Sequence, residues 1–167
     1  MPRKAFVYWP LAILVVVADW ITKSLAVAYL EPAHIPHRLV GTVVQLTLTY
    51  NPGTAFGIPV GGGGAARAGL VAVVVIALVI LFGMYRNAAP SDAWLAAALG
   101  LVSGGALGNL IDRLRSARGV VDFIDVRFGT WHFWTFNVAD AGVSVGAALL
   151  AIVLWHHDKA RTPGRTP

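Results

Sequence analysis

Four of the eight acidic residues, Asp19, Asp112, Asp122 and Asp140, lie within or near the ends of long apolar runs. Lys23, Asn51, Asn109, Arg113 and Asn137 occupy similar positions. Charge at a bilayer boundary is costly and tends to be functional. Two carboxylates held close together cannot both ionise easily, so they share a proton and titrate in two coupled steps. Such a pair supports hydrolysis without a nucleophilic side chain: the ionised acid takes a proton from water while the protonated one donates to the scissile carbonyl. Competing chemistries have little to draw on. The chain has no cysteine, no G-x-S-x-G elbow, no S-x-x-K pair and no phosphate-binding loop. Its five histidines lack H-E-x-x-H or comparable ligand spacing, so neither a metal nor a cofactor is expected.

Each of these residues also has a simpler reading. Asp19 and Lys23 are spaced i,i+4 and can pair on one helical face, or Lys23 can extend its ammonium toward the headgroups. Asn137 and Asp140 suit a helix N-cap and a first-turn carboxylate. Asp112 beside Arg113 reads as a local charge pair. Asp122 and Asp125 read as solvated loop acids. These readings leave one thing unexplained, the convergence of so many polar groups, and that depends on the elements that carry them.

Composition identifies the solvent. The chain of 167 residues is 57% hydrophobic and 13% charged, with a mean hydropathy of +0.69. A soluble domain carries about 25% charged residues, so roughly half the usual polar surface is missing. The net charge of +5 comes from scattered basic residues flanking apolar runs, which reads as membrane anchoring and not as nucleic-acid binding. Four apolar segments run from Ala5 to about Leu30, Ala68 to Tyr85, Ala93 to Ile111, and about Val138 to Trp155. Eighteen residues make a helix of about 27 Å, enough to cross a bilayer core. Trp9, Trp94 and Trp155 lie near segment ends, where amphipathic rings favour the headgroup zone. One domain is expected, covering residues 1–167. Arg3 and Lys4, the apolar run and Ala26-Val27-Ala28 also resemble a cleavable leader, but Asp19 and Lys23 interrupt that pattern and favour an uncleaved span.

Between the first two spans, VVQLTLTY (43–50) alternates with period two and predicts a strand. NPGTAFGIP then reads as a turn, and Gly61 to Gly64 as a flexible connection. GVVDFIDVRFGTWHFWTF, before the last span, reads as a short strand or an interfacial segment. Gly100, Gly104 and Gly108 share one helix face, as do Gly142 and Gly146, and this spacing predicts close packing of spans three and four.

With four spans, the exits of spans one and three and the entries of spans two and four share one side of the membrane. Asp19, Lys23, Asn51, Asn109, Asp112, Arg113, Asp122, Asn137 and Asp140 therefore converge there. Six basic residues flank each side, so the count is a tie, although their density per loop residue favours cytoplasmic termini. A proton or cation relay in a small transporter or channel subunit is the alternative, although relay sites usually lie near the midplane.

At this point the chain resembles the signal peptidase II (lipoprotein signal peptidase) family. The resemblance rests on DWITK (19–23), NPGTAFGI (51–58), GGALGNLIDRL (104–114), GVVDFIDV (119–126) and FNVAD (136–140), five motifs in order. It implies four transmembrane helices with a small extracytoplasmic β-rich cradle. The implied activity is that of an aspartyl endopeptidase of the bacterial plasma membrane, which cuts prolipoproteins before a diacylglyceryl-modified cysteine. It places the catalytic dyad on Asp122 and Asp140. Asn51, Gly53, Asn109, Asp112, Arg113 and Asn137 become supporting residues, with Asp19 and Lys23 shoring up the first span. It also implies cytoplasmic termini, an outward-facing site, membrane lipid as surroundings and, as the expected state, a monomer.

Overall fold

The computed structural model describes residues 3–55, 58–59, 64–129 and 131–161. Phe56, Gly57 and Gly61 to Gly63, singled out in the sequence, lie outside the described residues. Four helices are present: α1 (Ala5–Tyr29), α2 (Gly64–Asn87), α3 (Ala93–Arg115) and α4 (Val138–Arg161). Each is long and apolar enough to cross a membrane. The last three outrun their apolar cores, because a helix continues past its first charge when that charge suits its end. Arg86 closes α2, and Arg113 and Arg115 close α3, each facing the partial negative charge of a helix C-terminus. Asp92 caps the start of α3 by accepting from the Leu95 N–H at 3.0 Å.

α3 is the central helix, with 56% of its most apolar stretch buried against 6% for α2. Its glycines explain how, and they correct one expectation. A Cβ on Gly100 or Gly104 would stand 2.8 Å from the Tyr8 carbonyl oxygen or 2.7 Å from that of Ala12, so this stripe seats α1 and not α4. The α3–α4 seam uses other positions, Gly105 against the Ala139 carbonyl and Gly146 against Val102. The predicted meeting of spans three and four therefore occurs, one residue further round the helix.

Two apolar cores occupy opposite ends. At the end bearing the chain termini, Tyr8 stacks on Tyr85 at 4.1 Å, above Leu95, Leu99 and Val153. Lys4, counted above as a flanking charge, is buried here and donates to the carbonyls of Tyr85, Arg86 and Ala88 at the end of α2. At the other end Ala26 and Leu30 of α1 pack under a sheet through Leu48 and Phe123.

That sheet is antiparallel, ordered β1 (His37–Val40), β2 (Val44–Asn51), β5 (Val120–Phe128), β6 (Trp131–His132). β3 (Thr54–Ala55) and β4 (Ile58–Pro59) form a separate pair. The predicted strand thus lies within one residue of its place, and the segment before α4 resolves into β5 and β6. Asp122 pairs with Thr49 and Ile124 with Leu46, so Thr47 and Leu48 bulge opposite Phe123. A bulge bends a strand and redirects its side chains. Here it lets Thr47 and Leu48 both be buried, Leu48 in the apolar core and Thr47 against Asp125.

Candidate active site

The site is built around Lys23. Its ammonium lies 2.7 Å from Asp19, 2.8 Å from Asp112 and 2.9 Å from the Asn109 side-chain oxygen, which uses all three of its protons. Asp19 spends its other oxygen on the Ala139 N–H of α4, at 2.9 Å. Asp112 accepts from the Val121 N–H of β5, at 3.2 Å. One lysine on α1 therefore ties together α3, the sheet and the start of α4. The sequence paired Asp112 with Arg113; the structure gives Asp112 to Lys23 instead. Arg113 donates to the Asn109 carbonyl at 3.2 Å and feels the charges of Asp140, Asp122 and Asp112.

Asparagines carry the order from Lys23 outward. The Asn109 oxygen is held by Lys23 and, at 3.1 Å, by the Asn137 amide, so its own NH2 points at Asp140, 2.7 Å away. Asn137 is the N-cap of α4. Its side-chain oxygen accepts from the Asp140 N–H at 2.9 Å, and an Asp140 oxygen accepts in return from the Asn137 N–H at 3.2 Å. This is a reciprocal capping box, which fixes the Asp140 carboxylate at the helix start. The Asn137 NH2 also reaches Asp122 at 2.7 Å. Asn137 thus bonds both acids, Asp122 through its side-chain NH2 and the Asp140 carboxylate through its backbone N–H.

Asp122, on β5, is 4% exposed. Its second amide partner is Asn51 at the end of β2. Gly53 donates its N–H to the Asn51 side-chain oxygen at 3.1 Å, leaving the Asn51 nitrogen for Asp122. Gly53 has φ +149°, a backbone conformation that residues with a Cβ rarely adopt, so glycine suits this position. Burial, then the charge of Asp140, raises the Asp122 carboxyl to about 7 against the opposing amide bonds and Lys23. At neutral pH it is therefore a proton donor as much as a base.

Asp125, three residues along, was expected to be solvated. It is fully buried instead, accepting from Thr47 at 3.0 Å and from Arg127, with His132 at 2.8 Å. Burial alone would raise it, but Arg127 and Thr47 outweigh that and hold it below the usual carboxylate range. Sequence reading also missed Arg67, whose guanidinium caps α3 at the Arg113 and Leu114 carbonyls. It sits at the lip of an apolar run like any flanking charge, so nothing local marks it. Among the described residues, no three His, Cys, Asp or Glu side chains are placed to hold a metal ion.

The sequence model of one family, Signal peptidase (SPase) II, matches residues 11–156. The chain belongs to the signal peptidase II family. Relatives within it include the lipoprotein signal peptidase of Rhodococcus jostii, 41% identical over 90% of this chain and 73% of that one. Those of Coxiella burnetii and Pseudomonas syringae pv. tomato are 36% and 38% identical, over 91% and 93% of this chain and 91% and 88% of theirs. A bacterial membrane enzyme solved by the in meso method at 2.3 Å resolution superposes with a TM-score of 0.79 at 27% identity, over 94% of this chain and 92% of that one. A second, at 1.9 Å, gives a TM-score of 0.75 at 30% identity over 86% and 89%. The four-helix membrane fold with its small sheet is therefore shared with enzymes.

Proposed function

We propose that this chain is a lipoprotein signal peptidase, an aspartyl endopeptidase that cuts diacylglyceryl-modified bacterial prolipoproteins just before the lipidated cysteine. One arrangement carries the catalytic reading: Asn137 holds both carboxyls, buried Asp122 through its side-chain NH2 and Asp140 through its backbone N–H, with burial and the Asp140 charge raising Asp122 to about 7. In the pair, ionised Asp140 takes a proton from water and Asp122 donates its proton to the scissile carbonyl oxygen. The tetrahedral intermediate collapses as the proton on Asp140 passes to the departing amine and Asp122 recovers its own. No covalent intermediate and no metal step enters this scheme. Asn51, Asn109 and Asn137 hold the carboxylates. Lys23, Asp19 and Asp112 hold the asparagines and the helices that bear them, and Arg113 is placed to receive backbone carbonyls of the peptide.

A lipidated peptide arrives sideways through the bilayer, and a dyad at the helix ends suits that approach. The termini are cytoplasmic and the sheet lies on the outer face of the plasma membrane. The enzyme is taken to act as a monomer. The test is reconstitution of the purified protein with a diacylglyceryl-modified peptide. Asp122→Asn and Asp140→Asn should each abolish cleavage while the protein still accumulates in the membrane. Cleavage retained by both variants would overturn the assignment.

A further inference from the structure

The sheet has a second end, opposite the Asn51–Val120 pair that adjoins α3. Both hairpins turn there, β1 into β2 after Val40 and β5 into β6 after Phe128. Leu39 and Val40 are each 62% exposed at these turns, Phe128 58% and Trp131 55%. On water, a contiguous apolar edge of this kind marks an interaction site. The rings form a ladder: Phe128 to Trp131 at 5.9 Å, Trp131 to Phe133 at 5.8 Å, and Phe133 to Phe136 at 5.8 Å. Phe136 directly precedes Asn137, so the ladder runs from the exposed tip to the start of α4.

The ladder is anchored. Buried Asp125 accepts from Thr47 of β2 and from Arg127 of β5, and meets His132 of β6. One carboxylate therefore joins three strands. Its two larger partners keep part of their surface outside, Arg127 at 42% and His132 at 47% side-chain exposure. His37 and Arg38 of β1 are exposed as well, so the polar rim of this edge is basic.

We propose that this aromatic end of the sheet docks into the headgroup region of the bilayer that the helices span, with Asp125 as the pin that sets the hairpin's angle. The occupant is an anionic phospholipid surface. Tryptophan and tyrosine rings belong at that depth, and arginine beside them is drawn to acidic headgroups. The surface is also continuous with lipid-facing helix: the sheet packs on Ala26 and Leu30 of α1, whose neighbours Leu25 and Tyr29 are 49% and 77% exposed. Strand β5, which carries Asp122, is then clamped from below by the helices and from its far end by lipid.

Trp134 lies 5.9 Å from Phe133 on the same edge, and the chain has no cysteine, so Phe128→Cys and Trp134→Cys each accept a single nitroxide label. Both positions are exposed, and neither substitution opens the core. In vesicles of phosphatidylethanolamine and phosphatidylglycerol, the label should collide with lipid-soluble oxygen several-fold more readily than with a water-soluble nickel complex. Preferential collision with nickel overturns the proposal. So does shielding from both reagents, which would place a second copy or another protein on the edge. Vesicles of phosphatidylcholine alone should lower the oxygen preference, and an equal preference in both would overturn the anionic-lipid assignment. Asp125→Asn in the labelled background should shift the balance toward nickel. Thr47→Val, which removes one bond and no charge, should shift it the same way by less. A balance unchanged in both variants overturns the role of Asp125.

Discussion

Strand β5 carries two acids in opposite states. Asp122 and Asp125 are both buried, three residues apart, and so on opposite faces of one strand. Asp122 meets two amides and another carboxylate, and its proton is held to about pH 7. Asp125 meets a guanidinium, an imidazole and a hydroxyl, and stays ionised below the ordinary range. Burial is common to both, so burial alone does not make an acid reactive. What differs is whether its partners bring countercharge. Amides orient a carboxyl without neutralising it, and that keeps Asp122 available for proton transfer. The cations on Asp125 commit it to holding strands together.

Substitutions that break this contrast should give the largest effects. Asp122→Asn is expected to lower the cleavage rate by at least about a thousandfold, the scale of losing a general acid. Asp125→Asn should reduce cleavage only in proportion to the fraction that unfolds; single-turnover assays against melting curves separate the two cases. Lys23→Met removes the ammonium between Asp19 and Asp112 and leaves buried Asp19 and half-buried Asp112 without that countercharge, each still holding a backbone N–H. A loss of about 3–5 kcal/mol is expected, read by denaturation in detergent.

Titration sharpens the comparison by sign. The folded state binds the Asp122 proton more tightly than the unfolded chain, so its contribution to stability falls as pH rises from the ordinary carboxylate range through about 7. Wild type should therefore lose stability relative to Asp122→Asn between about pH 4 and 7, and cleavage should decline above neutrality as the donor proton is lost. Asp125 runs the other way: its contribution is present above the ordinary carboxylate range and is lost as pH falls through it. Melting curves of the three proteins across pH distinguish the slopes. The smallest effect belongs to Thr47→Val, about 2 kcal/mol for one hydrogen bond to a charged acceptor, read by hydrogen exchange in β2.

Much of this arrangement was legible in the sequence, where the information is local. Apolar runs located the four helices, period-two alternation located β2, and the topology of four spans gathered Asp19, Asn109, Asp122 and Asp140 on one side. The capping geometry of Asn137 and Asp140 was readable too, because a cap and its first turn lie within four residues. Partnerships between distant segments left no comparable trace. Lys23 chose Asp112 over the nearer reading of an Asp112–Arg113 pair, and Asp125 found Thr47 across a bulge that no periodicity announces. The glycine stripe on α3 declared a close contact without declaring with which helix. Small residues state that a backbone can approach, and the bundle as a whole decides whose.

The bond from the Asp19 carboxylate to the Ala139 N–H spans 120 positions of chain. Asp19 lies on α1 and Asn137 and Asp140 at the start of α4, so translation makes Asp19 well before its partner. Until α4 arrives, Asn109 has no Asp140 to orient and Asp122 lacks its Asn137 amide. A nascent or truncated chain therefore carries scattered carboxylates and no working pair. The proposed pair of Asp122 and Asp140 therefore comes together only after α4 has been made, and the order of translation keeps the two acids apart until then.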